Sequence, residues 1–317
     1  MENELQLINK IKDLLLPCDN KEFSLEDLVV IYRALLINDL NNVRCIIQSL
    51  LRKFKYALIL QDIIPRETIE FREIIDMRFL SASGIEGVVF LLFQKGNDKA
   101  FAIGKYSKDI IKKSKQILKE ISVGLLLNTI YEEVQNFMYC YGGFQCSVQK
   151  KDISKICLLS ADENLTNIGL FEYIQDSNSL GSIINQIHFK NLLIIILQVI
   201  NALSIANKRL NFSHGDLHLE NILIQSLNEE KIIKIKQTFV STYLIPKIID
   251  YGYSSFYLNE EINLNYKPDR KPIIDDLKFL FETLMDHYEE GAEFDILRNL
   301  SSLESEDILV DNIIKLI

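Results

Sequence analysis

The chain is 317 residues long, 48% hydrophobic and 25% charged, with a net charge of -9. That length and apolar content suffice for a large buried core, as one bilobal domain or two smaller ones, and only 12 Gly and 5 Pro exclude a fibrous or largely disordered chain. The acidic balance argues against a nucleic-acid partner, with Ile111-Lys112-Lys113-Ser114-Lys115 read as a solvated basic helix face.

Residues 1–75 predict helices, because Leu5, Ile8, Ile11, Leu14 and Leu15, and then Leu28, Ile31, Leu35 and Leu36, recur at helical spacing. Ser24-Leu25-Glu26-Asp27 reads as a capping box opening the second of them. This segment carries no chemistry and either packs on the main domain or serves as a docking module. From about Arg78 the period changes. Phe79-Leu80, Val88 to Phe93 and Ala100 to Lys105 predict short strands, and Ile110 to Ile130 a helix. Cys157-Leu158-Leu159 and Asn167 to Tyr173 are further strand candidates, and residues 179–211 are mostly helical. Strands return at Ile222 to Gln225, Lys231 to Lys236 and Lys247 to Asp250, with Asn228-Glu229-Glu230 expected to turn between the first two. The tail from Ile273 is helical.

The apolar run Leu192 to Ala206 is broken by Gln198 and Asn201 and is shorter than the roughly 20 residues that span a bilayer. It predicts a buried helix and no membrane partner. Met1 to Lys12 has no apolar signal core, and the five cysteines (Cys18, Cys45, Cys140, Cys146, Cys157) include no C-x-x-C pair. A soluble, cytoplasmic protein with free thiols is the expectation, and the four scattered histidines give no zinc spacing.

The chemistry concentrates in a few places. In Ser81-Ala82-Ser83-Gly84-Ile85-Glu86-Gly87-Val88-Val89, small residues would let backbone N–H groups close over phosphates. Lys105 ends the strand one hairpin later, and Glu120 follows on a helix between inward-facing Leu118, Ile121 and Leu125. Ser213-His214-Gly215-Asp216-Leu217-His218-Leu219-Glu220-Asn221 holds an Asp and an Asn five positions apart, and Lys247-Ile248-Ile249-Asp250-Tyr251-Gly252 adds a second Asp after a β-branched run. Two carboxylates and an amide on strand-edge loops suit phosphoryl transfer, in which one Asp receives a hydroxyl proton and the other groups hold magnesium.

In this order the motifs resemble those of protein kinases. The resemblance implies an α+β, bilobal protein-kinase-like fold: a helical N-terminal segment (1–75), a β-rich N-lobe (76–174) and a reduced, mostly helical C-lobe (175–317). It implies ATP and Mg2+ as cofactors. Ala82, Gly84, Gly87 and Val89 would cover the phosphates, Ala82 standing where the first glycine of the family loop would be. Lys105 would reach the α- and β-phosphates, paired with Glu120. Phe171 would be the gatekeeper, with Glu172 to Ile174 the adenine-facing hinge. Asp216 would act as catalytic base, while Asn221 and Asp250 bind the metal.

Departures from the family narrow the resemblance. Gly215 replaces the arginine of H-R-D, which implies activity without activation-loop phosphorylation. His218 stands for the usual lysine, and D-L-H occurs also in aminoglycoside phosphotransferases and AarF-type kinases. The insert Lys231 to Pro246 before Ile248-Ile249-Asp250-Tyr251 is similar to haspin-type kinases. Val123-Gly124-Leu125, Asn128 and Tyr141-Gly142-Gly143-Phe144-Gln145-Cys146 resemble kinase-like proteins of large cytoplasmic DNA viruses, which would place the protein in host cytoplasm or virion. Asp276, or alternatively Asp275, would anchor the catalytic loop, with few late helices beyond it. The leading expectation is a serine/threonine protein kinase with a protein substrate. A small-molecule phosphotransferase and a catalytically weak pseudokinase remain open, and the oligomeric state is not specified.

Overall fold

A computed structural model of the chain describes residues 6–7, 10–11, 75–81, 87–94, 99–107, 114–147, 165–265, 272–303 and 305–317. Ala82, Gly84, the Ser24–Asp27 capping box and the Cys157–Leu159 strand candidate lie outside these residues. The described chain forms two compact units. One holds the described residues up to Thr129 together with Tyr139–Tyr173, and the other holds Ile130–Met138 and Ile174–Ile317.

The first unit is a five-stranded antiparallel sheet. Its strands β1 (Ile75–Ser81), β2 (Gly87–Gln94), β3 (Ala100–Ser107), β4 (Cys140–Ser147) and β5 (Leu165–Glu172) lie in the order β1-β2-β3-β5-β4. Alternation puts Val88, Phe90 and Leu92 inward from β2 and Ala102 inward from β3. Phe90 pairs with Gly104, and a side chain at 104 would collide with the Phe90 ring. Helix α1 (Ser114–Asn128) covers this sheet with a run buried without a break from Glu120 to Leu127. Its C-terminal turn is closed by the Thr129 hydroxyl, which donates to the Leu126 carbonyl at 2.6 Å.

Two contacts fix α1 against β4. The Asn128 amide donates to the Cys140 carbonyl at 2.6 Å, and its oxygen accepts the Cys140 N–H at 3.1 Å. One turn earlier, a Cβ on Gly124 would lie 2.6 Å from the Cys140 Cβ, so only glycine permits the approach.

The second unit is built on a three-stranded sheet, β6 (Ser177–Ser179), β7 (Ile222–Ile235) and β8 (Thr238–Ile248), in the order β6-β7-β8. A short helix, α2 (Leu180–Ile183), precedes α3 (Phe189–Leu210), and β9 (Phe256–Tyr257) and β10 (Asn263–Leu264) form a small ribbon. Then come α4 (Pro272–Met285), α5 (Ala292–Ser301) and α6 (Glu306–Leu316). Helix α3 extends beyond the apolar run seen in the sequence. At 22 residues it is long and apolar enough to cross a membrane by length and composition, yet 67% of its most apolar stretch is buried within the unit. It packs against β8, α4 and α6 as a core helix.

The hairpin corrects one sequence expectation. Strand β7 does not turn at Asn228-Glu229-Glu230. Ser226 pairs with Leu244 and Lys231 with Thr242, so residues 227–230 bulge opposite Tyr243 alone and the strand continues. The chain turns at Lys236-Gln237, between the paired Ile235 and Thr238, with Lys236 in the left-handed region at φ 52°. A tertiary contact favours this turn over the more polar one, because Lys236 Nζ lies 2.6 Å from Asp307 Oδ1 at the start of α6.

Candidate functional site

In the first unit, Lys105 leaves β3 and meets Glu120 on α1. Its Nζ lies 3.0 Å from Oε1 and 2.9 Å from Oε2, a forked ion pair in which the carboxylate is 3% exposed and the lysine 17%. A buried carboxylate requires such a partner, since desolvating it alone costs several kcal/mol. Val89 is the cross-strand partner of Lys105, so the two side chains leave the same face of the sheet, and Gly87 opens β2 opposite Ser107.

Glu172, at the end of β5, is turned inward. Its carboxylate accepts the Tyr139 N–H at 3.2 Å and its own N–H donates to the Tyr139 carbonyl at 2.8 Å. Both groups thus tie β5 to the start of β4. Phe171 beside it is fully buried. Ile174, in the second unit, is buried, and its carbonyl accepts the Ser177 hydroxyl at 2.7 Å.

The second unit gathers Asp216, Asn221 and Asp250 around one hydrogen-bonded frame. Asp276, just past the first turn of α4, organises it. Oδ2 accepts the His214 N–H at 2.7 Å and the Ser213 hydroxyl at 3.2 Å, and Oδ1 accepts the Gly215 N–H at 2.8 Å. Burial pushes its carboxyl above the usual aspartate range, opposed by His214 and by these donors. Asp275 is exposed, so the choice between the two falls on Asp276.

Gly215 has a conformational reason to be glycine. Its φ is 79°, and a Cβ there would lie 2.6 Å from the Tyr253 carbonyl oxygen. The arginine found here in the resembling family could not take this backbone without strain.

The loop closes on itself through Asn221. Its Nδ2 donates to the Asp216 carbonyl at 2.8 Å and lies 3.0 Å from His218 Nε2. His218 Nδ1 accepts the Glu220 N–H at 3.2 Å, and Nε2 also lies 3.7 Å from Asp216 Oδ2. By resemblance His218 stands in the place of a lysine. Its ring instead lies beside both predicted site residues, and its i, i+3 spacing to Asn221 in a tight turn was the available signal.

The peptide unit that leads into Asp250 is held at Ile249. The Ile249 N–H donates to the Asn221 carbonyl at 3.0 Å, and the Ile249 carbonyl lies 2.9 Å from His214 Nε2. Because Nδ1 of the same ring faces the Asp216 N–H at 3.4 Å, the consistent tautomer carries its proton on Nε2. Asp250 itself sits at φ 64°, ψ 77°, an uncommon conformation for a non-glycine residue.

The donors fit a hard divalent cation. Asn221 Oδ1 accepts no hydrogen bond among the described residues, and Asp216 and Asp250 add carboxylate oxygens, the all-oxygen chemistry that magnesium takes. Among the described residues no cluster of three His, Cys, Asp or Glu side chains offers an alternative metal centre.

The described chain is thus of α+β class, with an ion-paired lysine on the five-stranded sheet of one unit and an Asp/Asn/Asp loop set on the largely helical other unit. In sequence the chain is similar to two proteins of invertebrate iridescent viruses, one of them named a probable kinase. It is 28% identical over 145 residues to "Probable kinase 098L" of Invertebrate iridescent virus 3, covering 44% of this chain and 24% of the relative. It is also 28% identical over 156 residues to "Uncharacterized protein 179R" of Invertebrate iridescent virus 6, covering 42% of this chain and 12% of the relative. The matches thus span less than a quarter of these relatives' lengths. Among solved structures, a crystallised kinase domain aligns with 73% of this chain and 70% of its own, at 15% identity and a TM-score of 0.45. The autoinhibited serine kinase domain of the giant muscle protein titin aligns with 77% and 71%, also at 15% identity and a TM-score of 0.45. No protein-family profile matches the chain.

Proposed function

We propose that the chain is an ATP- and magnesium-dependent phosphotransferase that acts on serine or threonine hydroxyls of a protein. The observation that carries this reading is the frame joining Asp216, Asn221 and Asp250, with the Ile249 N–H bonded to Asn221 and Asn221 bonded to Asp216. Asp216, partly exposed, takes the proton of the attacking hydroxyl. Asn221 and Asp250 would hold magnesium, which when bound offsets the phosphate charge. Lys105 holds the α- and β-phosphates, and Glu120 fixes its rotamer. Gly87 and Val89 would lie over the phosphates, and the backbone at Glu172 would present groups to adenine. The work of these residues is positioning and electrostatics rather than covalent chemistry.

The protein substrate and a cytoplasmic place of action belong to the same proposal, supported by the resemblance to viral kinase-like proteins. The test is incubation of the purified chain with radiolabelled ATP, magnesium, and either generic protein substrates or a panel of small alcohols. Labelled serine or threonine that disappears with Asp216→Asn supports the reading. Label only on a small alcohol makes the chain a small-molecule phosphotransferase. Nucleotide binding without transfer makes it a pseudokinase.

A further inference from the structure

We propose that the Tyr251 phenol locks the Asp250-Tyr251-Gly252 element in one conformation, making Tyr251 a positioning residue for Asp250. Its consequence for metal binding rests on the proposed function.

The ring is 1% exposed and lies edge-on to His214, with centroids 6.2 Å apart. An apolar ring would satisfy that packing equally well. The hydroxyl adds something else: it donates to the Ile248 carbonyl at 2.9 Å and to the Met138 carbonyl at 3.1 Å, one proton shared between two acceptors. These carbonyls come from different segments, the end of β8 and the stretch 130–138. The segments are already joined, since the Met138 N–H donates to the Ile248 carbonyl at 3.0 Å and the Ile248 N–H to the Asn136 carbonyl at 2.7 Å. The Asn136 side chain adds a bond to the Pro246 carbonyl at 2.9 Å.

The lock has a purpose at the next residue back. Asp250 occupies the left-handed region, which is costly for most L-residues and less so for Asp, so contacts on either side of it help to hold it there. Backbone bonds hold Ile249 on the N-terminal side. On the C-terminal side the holding group is the Tyr251 side chain, with the Ser254 N–H closing the turn onto the Tyr251 carbonyl at 3.2 Å. Swinging Tyr251 out would remove a buried hydroxyl from both acceptors and free Asp250 to relax. Rearrangement of this element therefore carries the cost of that buried hydrogen bond.

Tyr251→Phe removes the hydroxyl and keeps the ring. With no nucleotide present, amide exchange at Ile249 and Ser254 should quicken about tenfold, the consequence of losing a buried hydrogen bond. Mn(II)–ATP affinity, read by electron paramagnetic resonance, should fall by a similar factor, with KM for the metal–nucleotide raised and kcat nearly unchanged. Para-aminophenylalanine at 251, which restores an N–H donor, should return both readouts toward wild type. Tyr253→Phe, on an exposed ring, should alter neither. Unchanged exchange in Tyr251→Phe, or no rescue by the amino analogue, overturns the lock. Faster exchange with unaltered Mn(II)–ATP affinity overturns the positioning role. Faster exchange in a protein whose wild type binds no Mn(II)–ATP upholds the lock and refutes the metal reading instead.

Discussion

Gly215→Ala isolates the backbone demand of the catalytic loop, because it adds one methyl group and no charge. Holding an L-residue at φ 79° costs about 1–2 kcal/mol. The new Cβ would also sit 2.6 Å from the Tyr253 carbonyl oxygen, a backbone atom that cannot rotate away. Relief would require moving either the loop, which Asp276 grips through the N–H groups of His214 and Gly215, or the segment bonded to it by the mutual Ser213–Ser255 backbone bonds, both 2.9 Å. Strain of this kind costs on the order of a further 1–2 kcal/mol, for a total of about 2–4 kcal/mol. At roughly 2–4 °C per kcal/mol for a unit of this size, the transition should fall by about 4–16 °C. Differential scanning calorimetry reads it directly, with Gly291→Ala, whose Cβ would touch its nearest neighbour only at 3.9 Å, as control. A Gly215→Ala protein that melts within about 1 °C of wild type refutes this reasoning, and with it the claim that geometry rather than regulation alone keeps arginine out.

Further outcomes follow from the same contacts. Asn128→Leu, which removes both bonds to Cys140 and leaves its buried N–H and carbonyl unmet, should destabilise the first unit by about 2–4 kcal/mol in urea unfolding. Lys105→Met should abolish phosphoryl transfer while circular dichroism is unaltered, and Glu120→Gln should retain a reduced rate, since one amide oxygen can still accept from the lysine. Burial drives the Cys140 thiol well above its ordinary pKa, so iodoacetamide at pH 8 should leave it unmodified in the native protein and alkylate it in urea. Rapid native labelling at Cys140, read by peptide mass spectrometry, would contradict the packing of α1 on β4.

The parts of this molecule legible in the sequence are those fixed by local pattern. Alternation marked β2, β3 and β5, and Glu120 stood out as the one carboxylate set among inward-facing apolar residues of a helix. The parts that were not legible depend on partners distant in the chain. Asn228-Glu229-Glu230 has turn composition, and only the pairing of Lys231 with Thr242 and the hold of Asp307 on Lys236 carry the strand past it. Asp275 and Asp276 are equivalent by spacing, and burial against the His214 loop separates them. The grouping of Val123-Gly124-Leu125 and Asn128 with Tyr141-Gly142-Gly143 could be noted as a resemblance. Its cause, a side-chain clamp on Cys140, appears only when α1 and β4 are brought together.

Helix α3 has a consequence for how the chain is made. It leaves the ribosome before β7, β8, α4 and α6, the elements that bury it, because all of them follow it in sequence. For the time needed to synthesise about a hundred further residues, at some 5–20 residues per second, a 22-residue segment with the hydropathy of a membrane span stands uncovered. The cover for this helix is thus made only after the helix itself.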